Sequence, residues 1–175
     1  MHINGDPSNG TPINGWKSST GFNDTQPHQC WFFQRKSVSR TEIETIIGKN
    51  TYLANDYKLY QPVDEEHLIL PKYLWEEIWT SSGLSTKKSR RGIFDADDFA
   101  LVMKGAIAQW GTEKCGADGF AIFCGFMLGR SQANPKEGYT YNFTISDDHS
   151  SVVFFNPQNK KFLDNISYDV YLAYI

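Results

Sequence analysis

Residues 94–111, Phe-Asp-Ala-Asp-Asp-Phe-Ala-Leu-Val-Met-Lys-Gly-Ala-Ile-Ala-Gln-Trp-Gly, decide how the chain is read. Asp95 has the short acceptor side chain that suits an N-cap. Asp97 and Asp98 fall where the positive end of a helix favours carboxylates. Phe99, Val102, Met103, Ala106, Ile107 and Trp110 recur at helical spacing and predict the buried face. Gly111 is expected to end the helix.

Toward the N-terminus, Ser39-Arg40-Thr41-Glu42 has the form of a capping box, in which the serine and the glutamate each satisfy an orphan amide. Ile43, Ile46 and Ile47 then share one face, and Gly48 suits a C-terminal cap. Residues 71–82 predict another helix, with Pro71 near the first turn and Gly83 as the stop. Its apolar stripe is Leu74, Trp75, Ile78 and Trp79. Toward the C-terminus, the apolar run 119–128 fits a buried strand or a buried helix, and periodicity does not choose between them. Residues 139–145, 152–155 and 168–174 predict strands. Helices first and antiparallel strands afterwards give an α+β domain.

Composition sets the outer bounds. The chain has 175 residues, 17 basic and 20 acidic, for a net charge of −3. One domain of this length buries a sizeable core, and two full domains are a tight fit. The charge argues against nucleic acid as a partner. No apolar run approaches the ~18 residues of a membrane span. The polar start Met-His-Ile-Asn-Gly-Asp carries no apolar signal core, so a cytoplasmic location is expected. Residues 1–33 are rich in Gly, Asn, Ser, Thr and Pro, with turn signals at Asn4-Gly5, Asn9-Gly10 and Asn14-Gly15. They read as short strands that cannot close a core alone.

Chemistry is sparse in the residues themselves. Cys30, Cys115 and Cys124 lack both a disulfide framework and zinc spacing. Cys124, inside Gly-Phe-Ala-Ile-Phe-Cys-Gly-Phe-Met-Leu-Gly, reads as a small buried hydrophobe. Lys87-Lys88-Ser89-Arg90-Arg91 reads as a solvated loop, and Asp147-Asp148-His149 as a polar hairpin loop. Asp95, Asp97 and Asp98 are either helix caps or part of a hard-cation site, since calcium takes several oxygen ligands. The spacing is not that of an EF-hand.

Four segments carry a family resemblance: Phe94-Asp-Ala-Asp-Asp-Phe-Ala100, Gly119–Gly129, Tyr139-Thr-Tyr-Asn-Phe-Thr144 and Val153-Phe-Phe-Asn-Pro-Gln-Asn159. Together they resemble the C-terminal domain of the Marasmius oreades agglutinin family of mushroom chimerolectins. Those proteins join a ricin-B-type β-trefoil to a papain-like, calcium-dependent cysteine-protease domain. The resemblance implies residues 1–35 as a partial trefoil repeat and residues 36–175 as the papain-like domain. It also implies the departures that matter most. Ala96 stands where the family has its catalytic cysteine, Tyr139 where it has the histidine, and Asn156 where it has the orienting acid. Ser89 replaces a family tryptophan.

Ala96 offers no nucleophile, and a tyrosine with a reference pKa of ~10 stays protonated where a histidine would titrate. Asn156 is the mildest change, because an amide can orient an imidazole. The resemblance therefore implies a pseudoenzyme. Asp97, Asp98 and Gln158 match family positions associated with calcium. In the trefoil segment Trp16, His28 and Gln29 are the candidate contacts for galactose-type glycans, and the family implies a homodimer. Less than one repeat is present, its first strand falling at or before Met1, so glycan binding is expected only when upstream repeats are joined to this chain. An active protease would need displaced residues, Cys115 or Cys124 with His149.

Overall fold

The computed structural model describes residues 37–50, 52–60, 64–115, 119–134 and 136–175. The expectations for residues 1–35, with Trp16, His28, Gln29 and Cys30, lie outside the described residues.

Strand β1 (Ser37–Ser39) leads into α1 (Arg40–Gly48) through the capping box read from the sequence. The Glu42 amide donates to Ser39 Oγ at 3.3 Å, and the Ser39 amide donates to the Glu42 carboxylate at 2.9 Å. Ile43, Ile46 and Ile47 are buried as the spacing requires. Gly48 is the last helical residue instead of the cap. Lys49 follows in a right-handed conformation with its amide on the Ile46 and Ile47 carbonyls, so no left-handed glycine is needed there. Strands β2 (Leu53–Tyr60) and β3 (Glu66–Leu68) come next, then α2 (Lys72–Ser81). Pro71 caps α2 in extended conformation, and Gly83 turns the chain out of it at φ 77°.

Helix α3 (Ala96–Lys114) runs beyond the predicted stop. Gly111 is a contact point: the Ile122 side chain occupies the place its Cβ would take. The buried face is also narrower than the sequence suggests. Phe99, Ala100, Met103 and Ile107 are buried, Ala106 and Trp110 flank them, and Val102 is 39% exposed. Small Ala100 and Gly111 bring the helix close to its neighbours, which turns the row containing Val102 outward.

The apolar run 119–128 divides between two sheets. β4 (Ala121–Ile122) joins a three-stranded sheet of order β1-β3-β4. β5 (Gly125–Ser131) enters a six-stranded sheet with β6 (Gly138–Ile145), β7 (Val152–Asn156), β8 (Lys161–Leu163) and β9 (Tyr168–Tyr174). Its order is β2-β9-β5-β6-β7-β8. Both sheets are mixed, against the antiparallel expectation: β2 lies parallel to β9, and β3 parallel to β4. The domain is α+β, with three α-helices among the described residues.

Two hydrophobic clusters cover the faces of the large sheet. Consecutive Phe154 and Phe155 show the division, since side chains alternate along a strand. Phe154 enters the cluster that holds Ile43, Ile46 and Ile47 of α1, and Phe155 enters the one that holds α2 and α3 residues. Trp75 meets Phe155 edge-on at 5.5 Å between ring centroids. Strand β5 makes room for rings on the first face: Phe143 lies where a Gly125 Cβ would stand, and Tyr168 where a Gly129 Cβ would stand.

These surroundings predict opposite signs for two glycine substitutions. Gly125→Ala drives a methyl into the buried Phe143 ring, so it is expected to cost about 1–3 kcal/mol in urea denaturation. Gly105→Ala, in α3 with open space around its Cβ position, is expected to stabilise by about 0.5–1 kcal/mol.

Candidate functional site

The N-terminus of α3 gathers the acidic residues. The Gly92 amide donates to Asp95 Oδ2 at 2.8 Å, and the Asp95 amide donates to Asp98 Oδ2 at 3.0 Å. Two carboxylates thus hold the entry to the helix. A hydrogen bond between Asp95 and Asp97 pushes Asp97 above the usual carboxylate range and Asp95 below it. The pair keeps a proton at higher pH than an isolated aspartate, because neighbouring carboxylates resist ionising together.

One oxygen from each of Asp95, Asp97 and Asp98 lies within 4.8 Å of the others. Oxygens at ~2.4 Å from a shared calcium-sized cation are at most ~4.8 Å apart, so the spacing fits a metal ion. The exposed triad can bind one, and nothing in its geometry selects calcium. The helix dipole works against a cation here, since it favours the carboxylates themselves. A metal gains only what the crowding of three acids adds.

The remaining predicted positions are held by different elements. Ala96 is the first residue of α3, directly beside Asp97 and Asp98, and presents a methyl group. Asn156 ends β7, and its Oδ1 accepts from the Gln158 amide at 2.9 Å in the turn that follows. Trp79 Nε1 donates to the Pro157 carbonyl at 2.6 Å, tying the end of α2 to that turn. Lys160 lies over the Trp79 ring at 5.8 Å and pairs with Glu76 at 3.7 Å. Tyr139 lies on β6. Its ring stacks on Tyr168 at 5.3 Å, on the side of the α1 cluster, and its hydroxyl donates to Glu137.

The thiols are held differently. Cys124 is buried between the Gly125 carbonyl and the Asn142 amide, and burial pushes its thiol up to about 12. Cys115 caps the far end of α3, half-buried, with its thiol also raised by burial. Neither is hydrogen-bonded to His67, whose two ring nitrogens have no partner among the described residues. His149 lies in the β6–β7 turn at φ 56°. Asp148 in that turn accepts from Ser146 and Ser150, which hold its carboxyl down to about 2.

Sequence reasoning missed His67, Lys104 and Asn142. His67 sits in a three-residue strand, Glu-His-Leu, too short to show a period. Lys104 sits among apolar residues of α3, and that misplacement was the available signal. Asn142 begins a glycosylation sequon, yet it is fully buried and donates to the Ala100 carbonyl at 2.9 Å.

The family described as Agglutinin C-terminal matches residues 67–162. Two solved structures are similar. One is a PSL1a-E64 complex, 35% identical with a TM-score of 0.75, covering 79% of this chain and 51% of that one. The other is a Polyporus squamosus lectin bound to the human-type influenza-binding epitope Neu5Acα2-6Galβ1-4GlcNAc. It is 35% identical with a TM-score of 0.72, covering 79% of this chain and 49% of that one. The chain therefore spans about half the length of the solved structures it matches. No curated protein matches it.

Two outcomes follow from the electrostatics. A divalent cation at about ten times its Kd is expected to add about 1.4 kcal/mol of stability, read as a rise in Tm. Asp97→Asn is expected to abolish most of that rise, and a Tm indifferent to cation would leave the triad as helix caps alone. His67 is the second case. Burial lowers it below 6.5, so on acidification the unfolded chain takes up this proton before the folded one. Its contribution to stability is whole above pH 6.5 and erodes in the window just beneath. His67→Gln is expected to flatten the pH dependence of Tm in that window relative to the native chain.

Proposed function

The chain belongs to the agglutinin C-terminal family, and from that premise we propose a catalytically inactive, papain-like member that serves as a metal-binding scaffold or carbohydrate-associated binding module. Ala96 carries this reading. It occupies the first position of α3, where the resemblance puts a cysteine and where a helix N-terminus would lower a thiol's pKa. Where a nucleophile acts within a triad, its removal alone costs on the order of 10⁶ in kcat.

The two described cysteines do not replace it. A thiol must be deprotonated to attack, and burial raises both Cys115 and Cys124. The unpartnered nitrogens of His67 mean that it activates neither. Asp97 and Asp98 stand beside Ala96 at the helix end, so a cation there would brace the α3 entry without taking part in a reaction. Gln158, two residues beyond Asn156 in the turn after β7, is the third proposed ligand. A cytoplasmic homodimer is part of the same reading.

A second reading has a specific observation behind it: the similar Polyporus squamosus lectin is bound to a sialylated galactose-containing glycan. With upstream trefoil repeats joined to it, this chain would form part of a galactose-type lectin, with Trp16, His28 and Gln29 as the proposed contacts.

Unfolded casein incubated with this chain and millimolar calcium is expected to remain intact on a gel. Cleavage that iodoacetamide abolishes would overturn the inactive reading and return attention to Cys115. On immobilised Neu5Acα2-6Galβ1-4GlcNAc the chain alone is expected to give no signal. Saturable binding there would favour the lectin reading over the scaffold.

A further inference from the structure

The far half of α3 borders a cavity of about 530 Å³, within the range of small-molecule sites. Lys104, Ala108 and Thr112 face it from successive turns of the helix, and Phe120 and Ile122 supply apolar wall. His67 also lines it, from β3.

Two polar groups there have unused capacity. The His67 side chain is only 2% exposed, and neither ring nitrogen has a hydrogen-bond partner. A neutral imidazole carries one N–H donor and one acceptor, and leaving either buried and unmatched is unfavourable. Lys104 is pinned at the wall: Nζ donates to the Cys124 carbonyl at 2.6 Å and lies 5.4 Å from the centre of the Tyr174 ring. That bond uses one of three ammonium donors. Among the described residues Lys104 makes no ion pair with a carboxylate. Asp64 lines the cavity as an exposed residue and is the nearby acid that favours the charged forms of both His67 and Lys104.

We propose that this cavity binds small monocarboxylates with an aromatic or apolar body. The carboxylate sits on the Lys104 ammonium, and the body lies against Phe120 and Ile122. A carboxylate matches because its oxygens can take the two ammonium donors that the Cys124 carbonyl leaves free. A neutral ligand would add no charge to face the half-buried ammonium beyond that of exposed Asp64. Asp64 limits the site to one negative charge, since a second carboxylate would meet it as a like charge. The site lies toward the opposite end of α3 from the aspartate triad and does not depend on a metal.

Cys115, half-buried in the same lining, gives the readout. The full chain is alkylated with iodoacetamide in the presence of phenylacetate, 2-phenylethanol or phenethylammonium, and Cys115 modification is followed by peptide mass. Phenylacetate is expected to slow it about tenfold at about ten times its Kd, with much weaker protection by the alcohol and the amine. Lys104→Met is expected to remove the protection. If that variant melts early, Lys104→Arg takes its place and is expected to keep the preference for the acid over the alcohol. Equal protection by all three probes, or none by phenylacetate at its highest soluble concentration, would overturn the proposal. So would undiminished protection by phenylacetate in Lys104→Met.

Discussion

The amide of Asn142 is the point through which α3 and the large sheet are held together. It is fully buried on β6, and its Nδ2 reaches the Ala100 carbonyl at 2.9 Å, the Gly125 carbonyl at 3.4 Å and Cys124 Sγ at 3.6 Å. Apolar packing is forgiving of small slides, whereas the buried Nδ2 donor is matched only where an acceptor faces it, as the Ala100 carbonyl does here. This bond therefore sets how far α3 extends along the sheet. The aspartate triad at the start of the helix and the Lys104 wall at its middle both lie within two turns of this bond. It also removes Asn142 as a glycan acceptor in the folded chain, while Asn165 of the last sequon stays exposed.

Around that pin, the sheet is built to accept large rings on both faces. Gly125 and Gly129 leave hollows on β5 that Phe143 and Tyr168 fill, as aromatic side chains often cover glycines in sheets. Tyr168 in turn packs Tyr139 and Tyr141 at 5.3 Å each. Tyr139 is thus part of an aromatic slab that faces α1. Its ring is spent on packing, which is a physical reason for an aromatic residue at this position without any proton transfer.

Local signals were legible and long-range ones were not. The capping box at Ser39 and the final strand Tyr168–Tyr174 emerged as read, because each is encoded within a few residues. Strand β2 escaped notice since Leu-Ala-Asn-Asp-Tyr-Lys-Leu-Tyr lies at the sheet edge, largely in water, and needs little apolar alternation. Its parallel pairing with β9 joins segments more than 100 residues apart, which no local pattern records. Gly111 misled for a related reason. Its lack of a side chain serves Ile122, eleven residues later, and not a helix end. At the candidate site, the aspartates and buried Cys124 could be read. The cavity could not, because Lys104, His67 and Phe120 meet only after α3 has docked on the strands.

The start of α3 shows why acids can stand at a helix entry with no nucleophile beside them. Alanine has the highest helix propensity, so Ala96 costs the helix nothing. Asp97 and Asp98 remain favourable beside the first-turn amides whether or not a cation is present. Asp98 also takes the Asp95 amide, and Asp95 takes that of Gly92, so removing either would orphan a backbone donor. Asp95 and Asp98 are thus accounted for by capping alone, and their presence does not require catalysis. What capping does not account for is Asp97, which adds a third charge and is left with a raised carboxyl. Its raised carboxyl follows from the hydrogen bond to Asp95, and its place in the first turn is one that the helix dipole favours.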